Sequence, residues 1–203
     1  MFEWINFTLL ISSLVLFSLL YIISLRPAKM SEKMGDKAWK FCRNLRVLAS
    51  IFETVSTVAI ILWIWFPIPV VNWKIFNQWW IGLVISLVIF IPGGILIYIG
   101  VKDAGKETLT PSEKTEMYGG IYKHIRHPQT TGEMPMFPAI GLAINSWFIF
   151  ILLLVFISIY VPITMVFEER DLVRRFGDSY RNYQKSTGAL LPKINIKRER
   201  KNI

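Results

Sequence analysis

Residues 126–177 read RHPQTTGEMPMFPAIGLAINSWFIFILLLVFISIYVPITMVFEERDLVRRFG, and this order decides the architecture. The basic pair Arg126-His127 precedes a short apolar run, Gly132–Asn145. A longer apolar run, Trp147–Phe167, follows and ends on Glu168-Glu169. The second run is long enough to cross a hydrocarbon core of about 30 Å as a helix rising ~1.5 Å per residue. The first is short, and alone it reads as a re-entrant or buried helix.

Three more runs, roughly Ile5–Leu25, Leu48–Phe66 and Trp79–Val101, qualify as spans. They account for a hydrophobic content of 53% in 203 residues and a mean hydropathy of +0.44. The distribution of Lys and Arg settles the number of crossings. Seven lie between the first and second runs, five between the third run and Gly132, and ten after Phe167, which leaves only Lys74 in the connection Pro67–Gln78. Basic residues favour the cytosolic side, so the N-terminus is expected outside and all three basic blocks inside. The block containing Arg126 and the C-terminal tail then share a side. The chain between them must go out and return, turning at Asn145-Ser146. The expected fold class is all-α, an integral membrane bundle of five transmembrane helices with the C-terminus in the cytosol.

The net charge of +9 is thus a topology signal rather than a sign of nucleic-acid binding. Residues 197–201 are candidates for contact with anionic lipid headgroups. The first run lacks a basic leader and a small-residue cleavage site, and is read as a span rather than a signal peptide. Cys42 is the only cysteine, so neither a disulfide framework nor a cysteine metal site is expected. One membrane domain covers residues 1–203, made of N-terminal spans (1–101), a cofactor-binding part (102–192) and a basic tail (193–203).

Several local features carry expectations. Residues 26–46 read as a short helix along the cytosolic surface, anchored by Trp39 and Phe41. Trp63, Trp65, Trp73, Trp79 and Trp80 form an interfacial aromatic belt. Pro92-Gly93-Gly94 marks a kink or a close helix contact in the third span. Pro135 and Pro138 are tolerable near the first turns of the fourth. After the Glu pair, Leu172, Phe176, Tyr180 and Tyr183 recur at helical spacing among charges. They describe a C-terminal amphipathic cytosolic helix, broken near Gly177, that lies back on the bundle as a cover.

The charges at the bilayer edge need a reason. Acidic residues are disfavoured at a helix C-terminus, so Glu168-Glu169 calls for a cationic answer from Arg126, Arg170, Arg174 or a ligand. Glu133 lies about one turn into the fourth span and Glu53 about two turns into the second. Acidic residues at such depth face a bundle interior by default. Arg46, seven residues before Glu53, is a candidate structural partner for it. All these groups converge on the cytosolic half of the bilayer, which makes a site there.

The set Gly120-Ile121-Tyr122, Arg126-His127-Pro128, Gly132, Glu168-Glu169, Leu172, Phe176-Gly177, Tyr180, Tyr183 and Pro192 resembles the isoprenylcysteine carboxyl methyltransferases and the wider integral-membrane phospholipid methyltransferases. The resemblance covers the C-terminal third. It implies S-adenosylmethionine as cofactor and a lipid-embedded or lipidated acceptor entering from the bilayer. It implies Arg126, His127 and Glu169 as catalytic residues. It implies Tyr122, His127, Thr130, Gly132, Glu133, Glu168 and Glu169 as the cofactor wall, with Arg126 facing the donor carboxylate. Glu53 and Arg174 are the expected charges on the acceptor side. An amine acceptor would need a base, for which His127 and Glu133 are candidates. The family usually has Tyr where this chain has Thr130, so acceptor class is left open. Glu133 after Gly132 also resembles membrane sterol reductases, which use NADPH, but no extended basic pocket for a 2′-phosphate is evident. A non-catalytic membrane scaffold, the third reading, predicts no cofactor binding.

Overall fold

The computed structural model describes residues 1–108, 110–112 and 119–193. The basic cluster at 197–201 lies outside the described residues. Among those described there are seven α-helices and no strand: α1 (Phe2–Ser24), α2 (Pro27–Met34), α3 (Lys37–Leu62), α4 (Trp79–Ala104), α5 (Pro128–Ala143), α6 (Trp147–Phe176) and α7 (Asp178–Ser186). Short 3-10 turns occupy Pro69–Val71, Gly105–Thr108 and Gly120–Lys123.

Four helices, α1, α3, α4 and α6, are long and apolar enough to cross a membrane. Only 17–28% of the residues in their apolar windows are buried within the protein. The rest present Ile, Leu and Val outward, as on α4, where Val88 and Ile91 are exposed. That is the surface a lipid environment requires. The remaining expected span, α5, fourth in chain order, has 16 residues, about 24 Å of helix.

α5 and α6 form the expected hairpin, and its turn is built from polar side chains. Asn145 adopts a left-handed conformation with φ of 56°. Its Oδ1 accepts from the backbone N–H groups of Ile75 (3.0 Å) and Phe76 (2.8 Å), and its Nδ2 donates to the Phe76 carbonyl at 2.9 Å. Ser146 caps α6, its side chain accepting from Ile149 N–H. The turn is therefore anchored to the α3–α4 connection.

A heptad-like stripe of small residues sets the spacing between α4 and α5. A Cβ on Gly93 would lie 2.7 Å from the Gly132 carbonyl oxygen, and one on Gly132 would lie 2.4 Å from the Gly93 carbonyl oxygen. Gly100 approaches Gln129 and Pro128 in the same way. Ser86 fixes the register by donating to both the Gly82 and Ala139 carbonyls, each at 2.7 Å. Pro92-Gly93-Gly94 is thus a close helix contact, and α4 runs through it without interruption.

Several expectations need correction. Residues 26–46 do not form one surface helix. Gly35, with φ of 58°, ends α2, and α3 starts at Lys37. Trp39 does not serve as a free anchor, since its ring lies 5.3 Å from the Arg175 guanidinium. Trp63 leaves the belt: it is 2% exposed and stacks on Phe148 with ring centres 5.0 Å apart. Pro135 and Pro138 sit well inside α5, because the helix begins at Pro128. Finally, α6 continues past the Glu pair to Phe176 and ends only where Gly177 turns left-handed at φ of 57°. Leu172 and Phe176 therefore belong to α6. The separate final helix, α7, is 9 residues long and buries Tyr180.

Gly132→Leu should cost about 1–3 kcal/mol, the usual penalty of overpacking, because the opposing atom is backbone. Gly94→Ala, which meets nothing within 4 Å, should leave the melting temperature unchanged or raise it. Thermal unfolding of the two purified variants checks the contrast.

Candidate active site

Arg126 and His127 precede α5, and Glu168 and Glu169 lie on α6. The hairpin brings all four together. Glu169 Oε1 accepts from Arg126 Nε at 2.8 Å and lies 2.8 Å from its Nη2. The same oxygen lies 3.0 Å from His127 Nε2. Glu169 Oε2 accepts from Gln184 Nε2 of α7 at 2.9 Å. Arg126 Nη1 donates to the carbonyls of Gln184 and Thr187. The Glu pair is answered by Arg126 and His127, while Arg174 pairs at the surface with Glu32 at 2.6 Å.

The backbone closes the arrangement. Arg126 N–H donates to the Gly188 carbonyl (2.9 Å) and His127 N–H to Ala189 (3.0 Å). Ile125 and Gly188 form a parallel bridge. Thr131 Oγ1 donates to the Leu190 carbonyl at 3.0 Å, and Tyr183 donates to the Tyr122 carbonyl. The segment after α7 is thereby strapped across the start of α5.

His127 bridges the two carboxylates. Its Nδ1 lies 3.4 Å from Glu168 Oε2 while Nε2 faces Glu169. Burial alone would lower its pKa, but the hydrogen bonds to Glu168 and Glu169 overrule that and raise it to about 9. The imidazole is therefore a cation at neutral pH with both nitrogens committed as donors. Tyr122 is buried and donates to the Gly100 carbonyl at 3.3 Å. Burial pushes its phenol up to about 12, so it acts there as a neutral hydroxyl.

Beside this knot lies a cavity of about 120 Å³. Its wall includes Tyr122, Arg126, His127, Thr130, Glu133 and Glu168 from the predicted set. The others lie elsewhere. Glu169 sits behind the wall, Gly132 lies at the α4–α5 contact, and neither Glu53 nor Arg174 lines the cavity. Glu53 makes no ion pair with Arg46 among the described residues. Glu133 likewise has no hydrogen-bond or ion-pair partner among them.

Sequence reasoning missed a second set of wall residues, Tyr21, Arg46, Glu107, Asp171 and Arg175, while Tyr180 of the expected cover also lines the cavity. Glu107 and Arg175 form an ion pair with side chains 4% and 5% exposed. Arg175 also donates to the Ser112 carbonyl, and Ser112 N–H returns a bond to Glu107 at 2.9 Å. Asp171 accepts from the N–H groups of Ala28 (3.3 Å) and Lys29 (3.2 Å) at the start of α2. Glu107 carried no distinguishing signal, since it is one of four acidic residues in the loop 102–128. Arg46 carried none, since a basic residue at the cytosolic end of a span is already explained by topology. The apolar side of the wall continues into an aromatic stack, with Tyr160 5.2 Å from Phe17 and 5.3 Å from Phe156.

This geometry suits a compact polar molecule with charges of both signs and an aromatic part. Residues 81–179 match the model of the family described as phospholipid methyltransferase. The matched stretch is 99 of the 203 residues, just under half of the chain. The match covers α4 through the start of α7, and hence the hairpin and both sides of the charge knot. Curated relatives extend the likeness into the N-terminal helices. The chain is 27% identical over 192 residues to the methanethiol S-methyltransferase of Pseudomonas deceptionensis, covering 87% of this chain and 71% of that protein. It is 28% identical over 193 residues to methanethiol S-methyltransferase 1 of Bradyrhizobium diazoefficiens, covering 86% and 65%. With the methanethiol S-methyltransferase of Crocosphaera subtropica the identity is 23% over 194 residues, covering 88% and 74%. The apolar helices and this likeness together support a multi-pass membrane protein similar to membrane methyltransferases.

The raised pKa of His127 has a stability consequence. The charged form is favoured in the folded state, so the contribution is complete below about 6.5 and is lost as pH rises through about 9. The difference corresponds to roughly 3 kcal/mol. The wild-type melting temperature should fall between about pH 6.5 and 9, and His127→Gln should lack that component. A pH series of thermal unfolding on both proteins reads it.

Proposed function

We propose that the protein uses S-adenosylmethionine to methylate the sulfur of a small apolar thiol inside the membrane. The observation that carries this reading is the cavity beside the α5–α6 charge knot, in the segment matching the family. The wall has cations, carboxylates and aromatic rings in one place. Those are the groups needed to hold an ammonium, a carboxylate, ribose hydroxyls and an adenine. A buried Arg175 Nε and a buried Arg46 Nε also lack acceptors there among the described residues, as expected where a polar ligand completes the wall. The names of the relatives favour sulfur as acceptor atom over the carboxyl oxygen of an isoprenylcysteine.

The residues divide the work as follows. Glu168 faces the cavity with one nearby partner and can accept from an ammonium or a ribose hydroxyl. Glu169 is committed to Arg126, His127 and Gln184, and holds the wall together. A thiol reacts as its thiolate, so its proton must leave. His127 cannot take it, because both ring nitrogens already carry protons at neutral pH. Glu133 can, since it lines the cavity and has no polar partner among the described residues. The S–H bond breaks onto the Glu133 carboxylate. S-adenosylmethionine supplies an electrophilic methyl on a sulfonium, which the thiolate takes in line while the electron pair of the broken C–S bond stays on the departing thioether. Charge is annihilated in this step, and a water-poor cavity favours it.

The same reading gives five spans, with α5 the fourth, the N-terminus outside, and the cavity on the cytosolic side. An apolar thiol would partition into the bilayer and enter between the helices. Carboxyl or phospholipid acceptors remain the competing substrate classes.

The purified protein should convert methanethiol or a short alkanethiol to the methyl thioether when given methyl-deuterated S-adenosylmethionine, with the label found on sulfur by mass spectrometry. Glu133→Gln should lower the rate by about 10²–10⁴. Label on a prenylcysteine carboxyl or a phosphatidylethanolamine amine instead would refute the thiol assignment.

A further inference from the structure

The cations lining the cavity can be matched to carboxylates one by one, and among the described residues a single cation is left over. Arg126 and His127 are answered by Glu169 and Glu168. Arg175 is answered by Glu107. Arg46 has no carboxylate within ion-pair distance among the described residues. Its Nη1 donates to two backbone carbonyls, Glu107 at 3.3 Å and Thr108 at 3.1 Å. Those bonds orient the guanidinium without supplying a negative charge. Its Nε is buried and has no acceptor. Arg46 nevertheless lines the cavity. A partly buried guanidinium without an anion is costly unless a ligand provides one.

We infer that Arg46 is the group that holds the carboxylate of the methyl donor's amino-acid end. The inference rests on the methyl-donor reading above and assigns to α3 the role that the family resemblance implied for Arg126. Arg126 is unsuited to it, since its Nε, Nη1 and Nη2 are all engaged by Glu169, Gln184 and Thr187. The ligand group is a carboxylate on a zwitterion rather than an isolated anion. Glu107, Glu133 and Glu168 also line the wall and would repel a bare phosphate or sulfate. Glu168 lies close enough to Arg46 for their charges to interact. The two can therefore receive the carboxylate and the ammonium of one α-amino acid, which sit on the same carbon. Arg46 acts as an oriented fork: its backbone bonds hold Nη1, and its planar guanidinium is the shape that pairs with a carboxylate. Glu107 couples the two arginines, its carbonyl holding Arg46 and its carboxylate holding Arg175. Arg46 also lies outside residues 81–179, so the N-terminal half would supply part of the donor site.

The test compares two ligands that differ only at the amino-acid end. Binding of S-adenosylhomocysteine and of 5′-methylthioadenosine, which lacks the zwitterion, is measured by calorimetry on the full-length protein in detergent. Wild type should prefer S-adenosylhomocysteine. Arg46→Gln should weaken S-adenosylhomocysteine about 10–100-fold, the range for a hydrogen bond to a charged group, and leave 5′-methylthioadenosine unchanged. Arg46→Lys, which keeps the charge but not the fork, should fall between. An unchanged preference in Arg46→Gln overturns the proposal. So does equal loss of both ligands, which would mean a structural role only. If wild type binds both ligands alike, Arg46 is misassigned while the donor reading stands. If wild type binds neither, the donor reading fails and this inference with it.

Discussion

One carboxylate holds the site and the fold together. Glu169 receives Arg126 and His127 from the start of α5 and Gln184 from α7. These elements are separated along the chain by a full out-and-back excursion of the α5–α6 hairpin, and their contact fixes how the two helices end relative to each other. The group is largely withdrawn from solvent, with side-chain exposures of 10% for Arg126, 4% for His127 and 19% for Glu169. Removing one member of such a set leaves an uncompensated buried charge, which costs about 3–5 kcal/mol. The cavity inherits its rigidity from this knot, because Arg126 and His127 form part of its wall.

The neighbouring carboxylate does a different job because of helix geometry. Successive residues on a helix point about 100° apart, so Glu168 and Glu169 cannot face the same way. Glu169 turns to the strap after α7, and Glu168 turns to the cavity. The glycine contacts between α4 and α5 matter for the same site. Gly100 lies against Gln129, and Gln129 donates to the Tyr122 hydroxyl at 3.1 Å. Close helix approach thus sets where two wall residues sit. At the other end of the hairpin, Asn145 secures the turn, so that neither end of α5 is free to slide.

Much of this was legible in the sequence. Apolar runs located the four long helices, and counting Lys and Arg on either side of the short run required a hairpin there. The meeting of Arg126-His127 with Glu168-Glu169 follows from that turn. What could not be read has physical causes. The end of apolarity is not the end of a helix, so α6 runs on through Glu168-Glu169 to Gly177. Adjacent acidic residues look equivalent until the helix phase is known, which hid the separate roles of Glu168 and Glu169. Arg46 was explained by topology and paired on paper with Glu53, whereas its actual partners are backbone carbonyls from another element. Trp63 counted as an interfacial residue because hydropathy does not report which side of a helix faces a neighbour.

The account stands on the interaction of Arg126 with Glu169, and a double-mutant cycle on thermal or denaturant stability measures it. Arg126→Ala and Glu169→Ala should each be strongly destabilising, and the double variant should be little worse than the worse single one. A coupling energy above about 1.5 kcal/mol is expected for a direct charged contact. Additive losses would show that the two residues do not touch, and the site as described would not exist.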